Sequence, residues 1–103
     1  MANRFNEDII LEKVKAYIDF TYSQHYDSGK IQSTEVTFEA GHGERFCIGN
    51  ILKYAQRFGK KEGKNEADLY KIIHYAIMLL GQMDKEEKEK LREFEDHMQE
   101  GAD

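Results

Sequence analysis

Two neighbouring helical segments of this chain each carry a polar row at the spacing i, i+3 and i+7. The two rows are Asn50, Lys53 and Arg57, and then Asp68, Lys71 and Tyr75. Residues at this spacing share one face of an α-helix. An arginine can hold a phosphate through two parallel hydrogen bonds, and a lysine adds a mobile positive charge. These residue types predict a site for a phosphorylated ligand between the two helices.

The remaining groups near these rows suit a nucleotide. The side chain of Asn50 can contact the edge of a base or a ribose, and the rings of Tyr26, Tyr54 and Tyr75 can stack on a base. Lys60 and Lys61, which follow Gly59, extend the positive charge. The carboxylate of Asp68 can anchor the cations or hold a metal–phosphate complex through water.

Other chemistries fit the sequence less well. The histidines at positions 25, 42, 74 and 97 are scattered, without a metal-ligand spacing. Gly41-His42-Gly43 lacks the Gly-Lys-Ser/Thr sequence of a P-loop. The carboxylates of residues 86–96 resemble the helical metal sites of all-α nucleotide pyrophosphohydrolases, but they alternate with lysines on a segment that has hardly any apolar face. A solvated surface is the better interpretation, and we predict no metal site made by the protein alone.

The elements that must position these groups are helical. Hydrophobic periodicity predicts helices over residues 7–22, 44–58 and 66–81, and a separate charged helix over residues 84–99. Residues 23–33 read as a loop because Asp27-Ser28-Gly29 is turn chemistry. A short helix through about Ala40 begins at Ser33 or Thr34, with a strand as the alternative because Val, Thr and Phe favour strands. Gly59 predicts the end of the central helix.

Opposite each polar row lies an apolar row, which predicts the core. The two predicted core rows are Cys47, Ile48, Ile51, Leu52, Ala55 and Phe58, and then Leu69, Ile72, Ile73, Ala76, Ile77 and Leu80. A short connection makes neighbouring helices antiparallel. The sequence therefore predicts an all-α fold, a small bundle built on a central antiparallel hairpin. The thin stripe of Leu91, Phe94 and Met98 packs on the bundle edge or against a second copy, so we expect a homo-oligomer.

Composition limits the class of protein. A length of 103 residues suggests one domain, and a net charge of −5 argues against general nucleic-acid binding. The single cysteine, Cys47, suits a reducing compartment, and it falls on an apolar face where a buried thiol is expected. No signal peptide and no apolar run long enough for a membrane are visible. We expect a cytoplasmic protein without a membrane partner.

Four stretches carry a resemblance to a known family. They are His25-Tyr26, the GKI of residues 29–31, GNILKYAQRFGKK of residues 49–61 and ADLYKIIHYAIMLL of residues 67–80. Together they resemble a small helical family of tailed-phage proteins, long catalogued as a domain of unknown function, which includes a podophage nucleotide kinase without a P-loop. The resemblance covers residues 25–80, and the stretch over residues 49–61 is its most specific part.

The resemblance implies a phage protein of the host cytoplasm that binds a nucleotide, with or without phosphoryl transfer to a deoxynucleoside monophosphate. Mg²⁺ is then expected only with the nucleotide, and no tightly bound cofactor. The expected catalytic residues are His25, Arg57 and Asp68. The expected substrate-binding residues are Tyr26, Lys30, Asn50, Lys53, Tyr54, Lys61, Lys71 and Tyr75. Two alternatives stay open: a non-catalytic phage protein that binds a host factor, and a pyrophosphohydrolase that uses the carboxylates of residues 86–96.

Overall fold

A computed structural model describes residues 4–25 and 29–100, with the side chains of His25 and Glu100 left out of the description. The described residues form helices and connecting turns, without strands. The helices in chain order are α1 (Glu7–His25), α2 (Lys30–Glu39), α3 (Gly43–Arg57) and α4 (Glu66–Glu100). The all-α prediction is confirmed, and the strand alternative for residues 34–40 is wrong.

The centre of the fold is the hairpin of α3 and α4, which pack closely against each other as predicted. The eight-residue connection between them is closed by its own backbone hydrogen bonds, because the N–H of Gly59 donates to the carbonyl of Gly63 at 2.8 Å. Both glycines have positive φ, at 84° and 66°. Side chains other than glycine rarely adopt this conformation, so the two glycines turn the chain back on itself. The predicted helix end at Gly59 is confirmed.

Helix α4 begins at a capped turn and then runs without a break. The side-chain oxygen of Asn65 accepts a hydrogen bond from the N–H of Ala67 at 2.9 Å, which satisfies one of the donors that a helix start leaves unpaired. The prediction of a separate helix over residues 84–99 is wrong, because these residues continue α4. Gly81 lowers helix propensity by about 1 kcal/mol without interrupting the hydrogen-bond pattern.

Side-chain pairs across the expected break show why the helix continues. The amide of Gln82 donates to the carboxylate of Glu86 at 3.0 Å, and Lys88 forms an ion pair with Asp84 at 3.2 Å. Both pairs have the i, i+4 spacing that supports a helix. The Asp84 and Glu87 positions, which resemble a capping box in the sequence, are therefore ordinary interior positions of α4.

Helices α1 and α2 cover one side of the hairpin. The rings of Tyr17 in α1 and Tyr70 in α4 stack with centroids 5.3 Å apart. The ring of Phe38 in α2 rests on the backbone of Gly43, where an added Cβ would come within 2.3 Å of it. The predicted loop over residues 23–33 is too long, because α1 extends to His25 and α2 already begins at Lys30.

The buried core is thin, and the predicted core rows are only partly correct. Val14 and Cys47 are the buried hydrophobic side chains among the described residues. Ile48 and Leu52 in α3 are 46% and 57% exposed. In α4 the exposed members of the predicted core row are Leu69, Ile77 and Leu80. Members of the two polar rows are instead half-buried, among them Asn50, Lys71 and Tyr75.

Candidate functional site

An open cleft of about 1130 Å³ lies between the hairpin and helices α1 and α2. Helix α3 contributes Phe46, Asn50, Lys53 and Tyr54, and all four helices supply part of its lining. We call it the aromatic cleft, after the side chains that form its floor. The rings in this floor are Tyr17, Tyr22, Phe38, Phe46, Tyr54, His74 and Tyr75.

Tyr75 lies at the centre of the aromatic floor. Its ring stacks on that of Tyr54 across the hairpin, with centroids 6.2 Å apart and planes 13° apart. The ring of Phe46 meets it edge-on at 5.7 Å, and the ring of His74 lies 6.4 Å away. Aromatic pairs in these arrangements contribute about 0.5–1.5 kcal/mol beyond the area they bury. The floor is therefore a fixed part of the fold as well as a surface for a ligand.

Two lysines approach the same ring from the two helices. The Nζ of Lys53 is 5.2 Å from the centroid of Tyr54, and the Nζ of Lys71 is 4.8 Å from it. The face of an aromatic ring attracts a cation, which holds both ammonium groups at the cleft. Neither lysine forms an ion pair with a carboxylate in the described part of the chain. The cleft lining also includes the carboxylates of Glu35, Glu39 and Glu89, none of which forms an ion pair with either lysine in the described part of the chain.

Asn50 also belongs to the cleft wall. Its side-chain amide donates to the carbonyl of Phe46 one turn earlier, at 2.9 Å. This bond fixes the orientation of the amide, so its oxygen is the atom directed away from the helix's own backbone. Oriented in this way, the side chain can accept a hydrogen bond from a ligand.

Arg57 and Asp68 meet at the closed end of the hairpin, one turn beyond the lysines. The Nε of Arg57 is 3.8 Å from Oδ1 of Asp68, whose side chain is only 3% exposed. A second, exposed carboxylate, that of Glu62, lies 3.8 Å from Nη2 of Arg57. The buried Nε has no hydrogen-bond partner among the described residues. The pair is long for an ion pair, and a small movement of either side chain would form a direct hydrogen bond.

Burial changes the acidity of two groups in the cleft. It lowers the pKa of His74 below the usual value of 6.5, so this imidazole is neutral at pH 7. Burial also raises the pKa of Tyr75 above 10, and the neighbouring Tyr54, Cys47 and Tyr17 raise it further. The cleft thus combines a neutral imidazole with aromatic rings, lysines and the three glutamates Glu35, Glu39 and Glu89.

The family of the chain follows from comparison with known proteins. A family model described as a protein of unknown function, DUF3310, matches residues 20–77, which is more than half of the chain. The chain belongs to the DUF3310 family. The search of curated proteins and the search of solved structures give no match. The DUF3310 segment includes all of α2 and α3 and ends within α4.

Most of the cleft lies inside the DUF3310 segment, and so do all the residues expected to form the site. Six of them line the aromatic cleft: Lys30, Asn50, Lys53, Tyr54, Lys71 and Tyr75. Arg57 and Asp68 form the pair at the hairpin end, and Lys61 is exposed in the connection. Tyr26 and the side chain of His25 lie outside the described residues, so their predicted roles stay predictions.

The sequence analysis missed several residues that line the aromatic cleft. The chief of these is His74, which lies next to Tyr75 and at i+3 from Lys71, so it shares their helix face. That spacing was visible in the sequence. The contributions of Phe38 in α2 and of Tyr17 and Tyr22 in α1 could not be predicted from the sequence. The periodicity of a helix does not show which neighbouring helix its face contacts.

The described residues contain neither a metal cluster nor a membrane-spanning helix. No group of three or more His, Cys, Asp or Glu side chains close enough to hold a metal ion occurs within residues 4–25 and 29–100. The carboxylates of residues 86–96 therefore do not form the metal cluster that the pyrophosphohydrolase alternative needs. No helix in the described parts of the chain is long and apolar enough to cross a membrane.

Proposed function

We propose that the aromatic cleft binds a nucleotide, with its phosphates on Lys53 and Lys71 and its base against the tyrosine rings. The observation that carries this proposal is the placement of two unpaired ammonium groups within 5.2 Å of the Tyr54 ring centroid. Like charges repel, so an arrangement that brings two of them to one ring favours an anion between them.

The size and lining of the cleft agree with a ligand of this class. Ligand pockets range from about 300 to 1,000 Å³, and the open cleft of about 1130 Å³ is large enough for a nucleotide. The overall net charge is −5, so the attraction for a phosphate comes from the local lysines and not from the whole surface. Mg²⁺ would enter with the nucleotide and compensate the phosphate charge that two lysines leave.

Phosphoryl transfer between nucleotides is the catalytic form of the proposal. It is supported by the resemblance of residues 49–61 and 67–80 to a phage family that includes a nucleotide kinase. In this form Arg57, held by Asp68, would stabilise charge on the transferred group, since positioning and charge neutralisation are the main tasks in this chemistry. The neutral imidazole of His74 is a candidate to accept a proton, in addition to His25 and Asp68, which are the sequence-based candidates for proton handling or metal positioning.

The binding proposal is tested by thermal shift and titration calorimetry with nucleoside mono-, di- and triphosphates, with and without magnesium. We expect Lys53→Met and Lys71→Met each to weaken binding about 10- to 100-fold, the effect of losing one charge-assisted hydrogen bond. Lys15→Met is the matched control, because it makes the same charge change on an exposed part of α1 that does not line the cleft. It should bind like the wild type.

Two results would contradict the proposal. One is the absence of binding by every nucleotide tested. The other is an equal loss of binding in Lys15→Met, which would indicate non-specific attraction. Either result would favour the alternative that the chain acts by binding a host protein. If nucleotides bind, assays for phosphate exchange between labelled nucleotides, using wild type and Arg57→Gln, test the catalytic form.

A further inference from the structure

The hairpin has a second broad surface, on the side away from the aromatic cleft. We call it the apolar back face and define it by its exposed large side chains. These are Ile48 and Leu52 from α3, and Leu69, Leu80 and Met83 from α4. Their exposed fractions range from 43% to 64%. Monomeric proteins rarely leave several large apolar side chains exposed side by side.

Helical geometry puts these residues on one side of the hairpin. Ile48 and Leu52 are spaced i, i+4, and they point about 160° away from the cleft-lining pair of Phe46 and Asn50, at 100° per residue. In α4, Leu69 and Leu80 are three turns apart along one stripe. That stripe is likewise about 160° from Lys71, which lines the cleft. Both stripes therefore point away from the cleft, on the back of the antiparallel hairpin.

The total surface of the chain is too large for a compact monomer. Its accessible area is 8763 Å², whereas a compact monomer of 12.1 kDa exposes about 6,000 Å². The apolar back face supplies part of this surplus of about 2,700 Å², and the exposed residues 83–99 of α4 supply another part. A standard interface takes roughly 800 Å² from each partner.

We propose that the apolar back face packs against the same face of a second copy of this chain. The two hairpins then form a four-helix arrangement about a two-fold axis, the commonest symmetry of homodimers. Each copy supplies two antiparallel helices, and four such helices enclose a core that two cannot. The aromatic cleft stays open to solvent on the outer side of each hairpin.

The chemistry of the surface favours a copy over an unrelated partner. In the α4 half of this surface, between Leu69 and Met83, the sequence carries one charged residue, Lys71, and that residue belongs to the cleft. In the α3 half the exposed Glu44 and Arg45 lie at its edge. Homodimer interfaces are more apolar than transient ones, and they need no complementary charge pattern. A surface that stayed uncovered until a different protein arrived would promote aggregation, whereas a second copy is present whenever the chain is.

The test is sedimentation velocity at micromolar concentration on wild type and three glutamate variants. The wild type is expected at twice the 12.1 kDa mass of the chain. Leu80→Glu and Leu52→Glu should sediment as monomers, with dimerisation weakened about 100-fold or more by the buried charge. The matched control is Leu11→Glu in α1, because Leu11 and Leu80 are both 64% exposed in the single chain. It should remain dimeric.

Circular dichroism separates loss of the dimer from loss of the fold. Both target leucines are already exposed in the single chain, so the variants should keep their helical signal at low temperature. A wild type that sediments as a monomer overturns the proposal, and so does an oligomer that survives both back-face substitutions. Nucleotide binding is measured on the same samples; its presence or absence does not bear on this inference, because the cleft lies on the opposite side.

Discussion

Two ion pairs show how burial and distance contribute at the level of single residues. Lys88 and Asp84 are 3.2 Å apart, but their side chains are 73% and 61% exposed. Arg57 and Asp68 are further apart, at 3.8 Å, but the carboxylate is 3% exposed. Exposed pairs contribute at most about 1 kcal/mol, whereas a buried carboxylate depends on its partner to offset lost hydration. The longer pair is therefore the more consequential one.

We expect Asp68→Asn to lower the free energy of unfolding by about 1–3 kcal/mol, because it leaves Arg57 without its buried partner. The matched substitution Asp84→Asn should change it by less than about 0.5 kcal/mol. Urea unfolding of the two variants measures the difference. Equal effects of the two substitutions would show that the Arg57–Asp68 contact is not a stabilising interaction.

His74 gives the protein a pH dependence whose sign follows from its burial. Its pKa in the folded state lies below 6.5, so below pH 6.5 the unfolded chain takes up a proton that the folded chain does not. Stability from this group is fully present above pH 6.5 and is lost as the pH falls toward the folded pKa, with a slope of at most about 1.4 kcal/mol per pH unit.

The measurement is denaturant unfolding at several pH values between about 7.5 and 5.5, above the range where carboxylates titrate. Wild type should lose more stability than His74→Gln over this interval, since the variant lacks the buried imidazole. Parallel curves for the two proteins would mean that His74 does not titrate differently in the folded and unfolded states.

Residue types and spacing predict part of the site at this scale. The rows at i, i+3 and i+7 identify Asn50, Lys53 and Lys71, which the structure places in one cleft. They also identify Arg57, which lies one turn further along in contact with Asp68. Periodicity specifies a direction around the helix, but position along the helix decides which residues the cleft reaches.

At the level of elements, the junction of α2 and α3 depends on one close contact. A Cβ on Gly43 would lie 2.3 Å from the Phe38 ring, whereas one on Gly49 would meet nothing within 4 Å. Both residues are in α3. Gly43→Ala should destabilise by about 1–3 kcal/mol through this clash, and Gly49→Ala should stabilise by about 0.5–1 kcal/mol through helix propensity.

Thermal unfolding of the two alanine variants tests this pair of predictions. Adding Phe38→Leu to Gly43→Ala should restore part of the lost stability, because the smaller side chain leaves room for the methyl group. Failure of this rescue, or destabilisation by Gly49→Ala as well, would mean that the contact between Phe38 and Gly43 does not determine the junction.

The elements themselves were easier to predict than their orientation. The bounds of α3 fit the sequence to within a residue, because Gly59 and the polar connection mark its end. The prediction that Ile48 and Leu52 of α3 pack within the chain was wrong. An apolar row indicates a surface that avoids water, but it does not say whether the same chain or another copy covers it. The continuity of α4 through Gly81 was missed because one glycine is a weak helix breaker.

At the level of the whole molecule, α4 extends well past the 15-residue α3 with which it pairs. Residues 83–99 are all exposed. The longest dimension of the Cα trace is 64 Å. A helix without tertiary packing is marginally stable in water. Residues 84–100 should therefore exchange their amide hydrogens at least ~10-fold faster than residues 43–57.

Hydrogen–deuterium exchange with mass spectrometry measures this difference directly. Peptides from residues 66–82 serve as the internal control, because they belong to the same helix but pack against α3. Equal protection of both parts of α4 would show that something covers the distal part in solution, such as the stripe of Leu91, Phe94 and Met98 on a second copy.

The all-α class and the hairpin were predictable for the whole molecule, because they follow from periodicity and one short connection. The thinness of the core was not. The two predicted core rows suggest a full interior. A two-helix layer has two faces, however, and each helix directs part of its apolar row away from the other.

The buried thiol of Cys47 can report on the opening of the hairpin. Cys47 is the single cysteine of the sequence and is 0% exposed, and burial raises the pKa of its thiol. The thiolate is the reactive form of cysteine, and a buried thiol is out of reach of a labelling reagent. Labelling of Cys47 therefore requires that α3 and α4 separate. The rate of thiol labelling in native buffer therefore measures how often the hairpin opens, without any added probe. A nucleotide that binds the aromatic cleft should slow that rate in proportion to its occupancy.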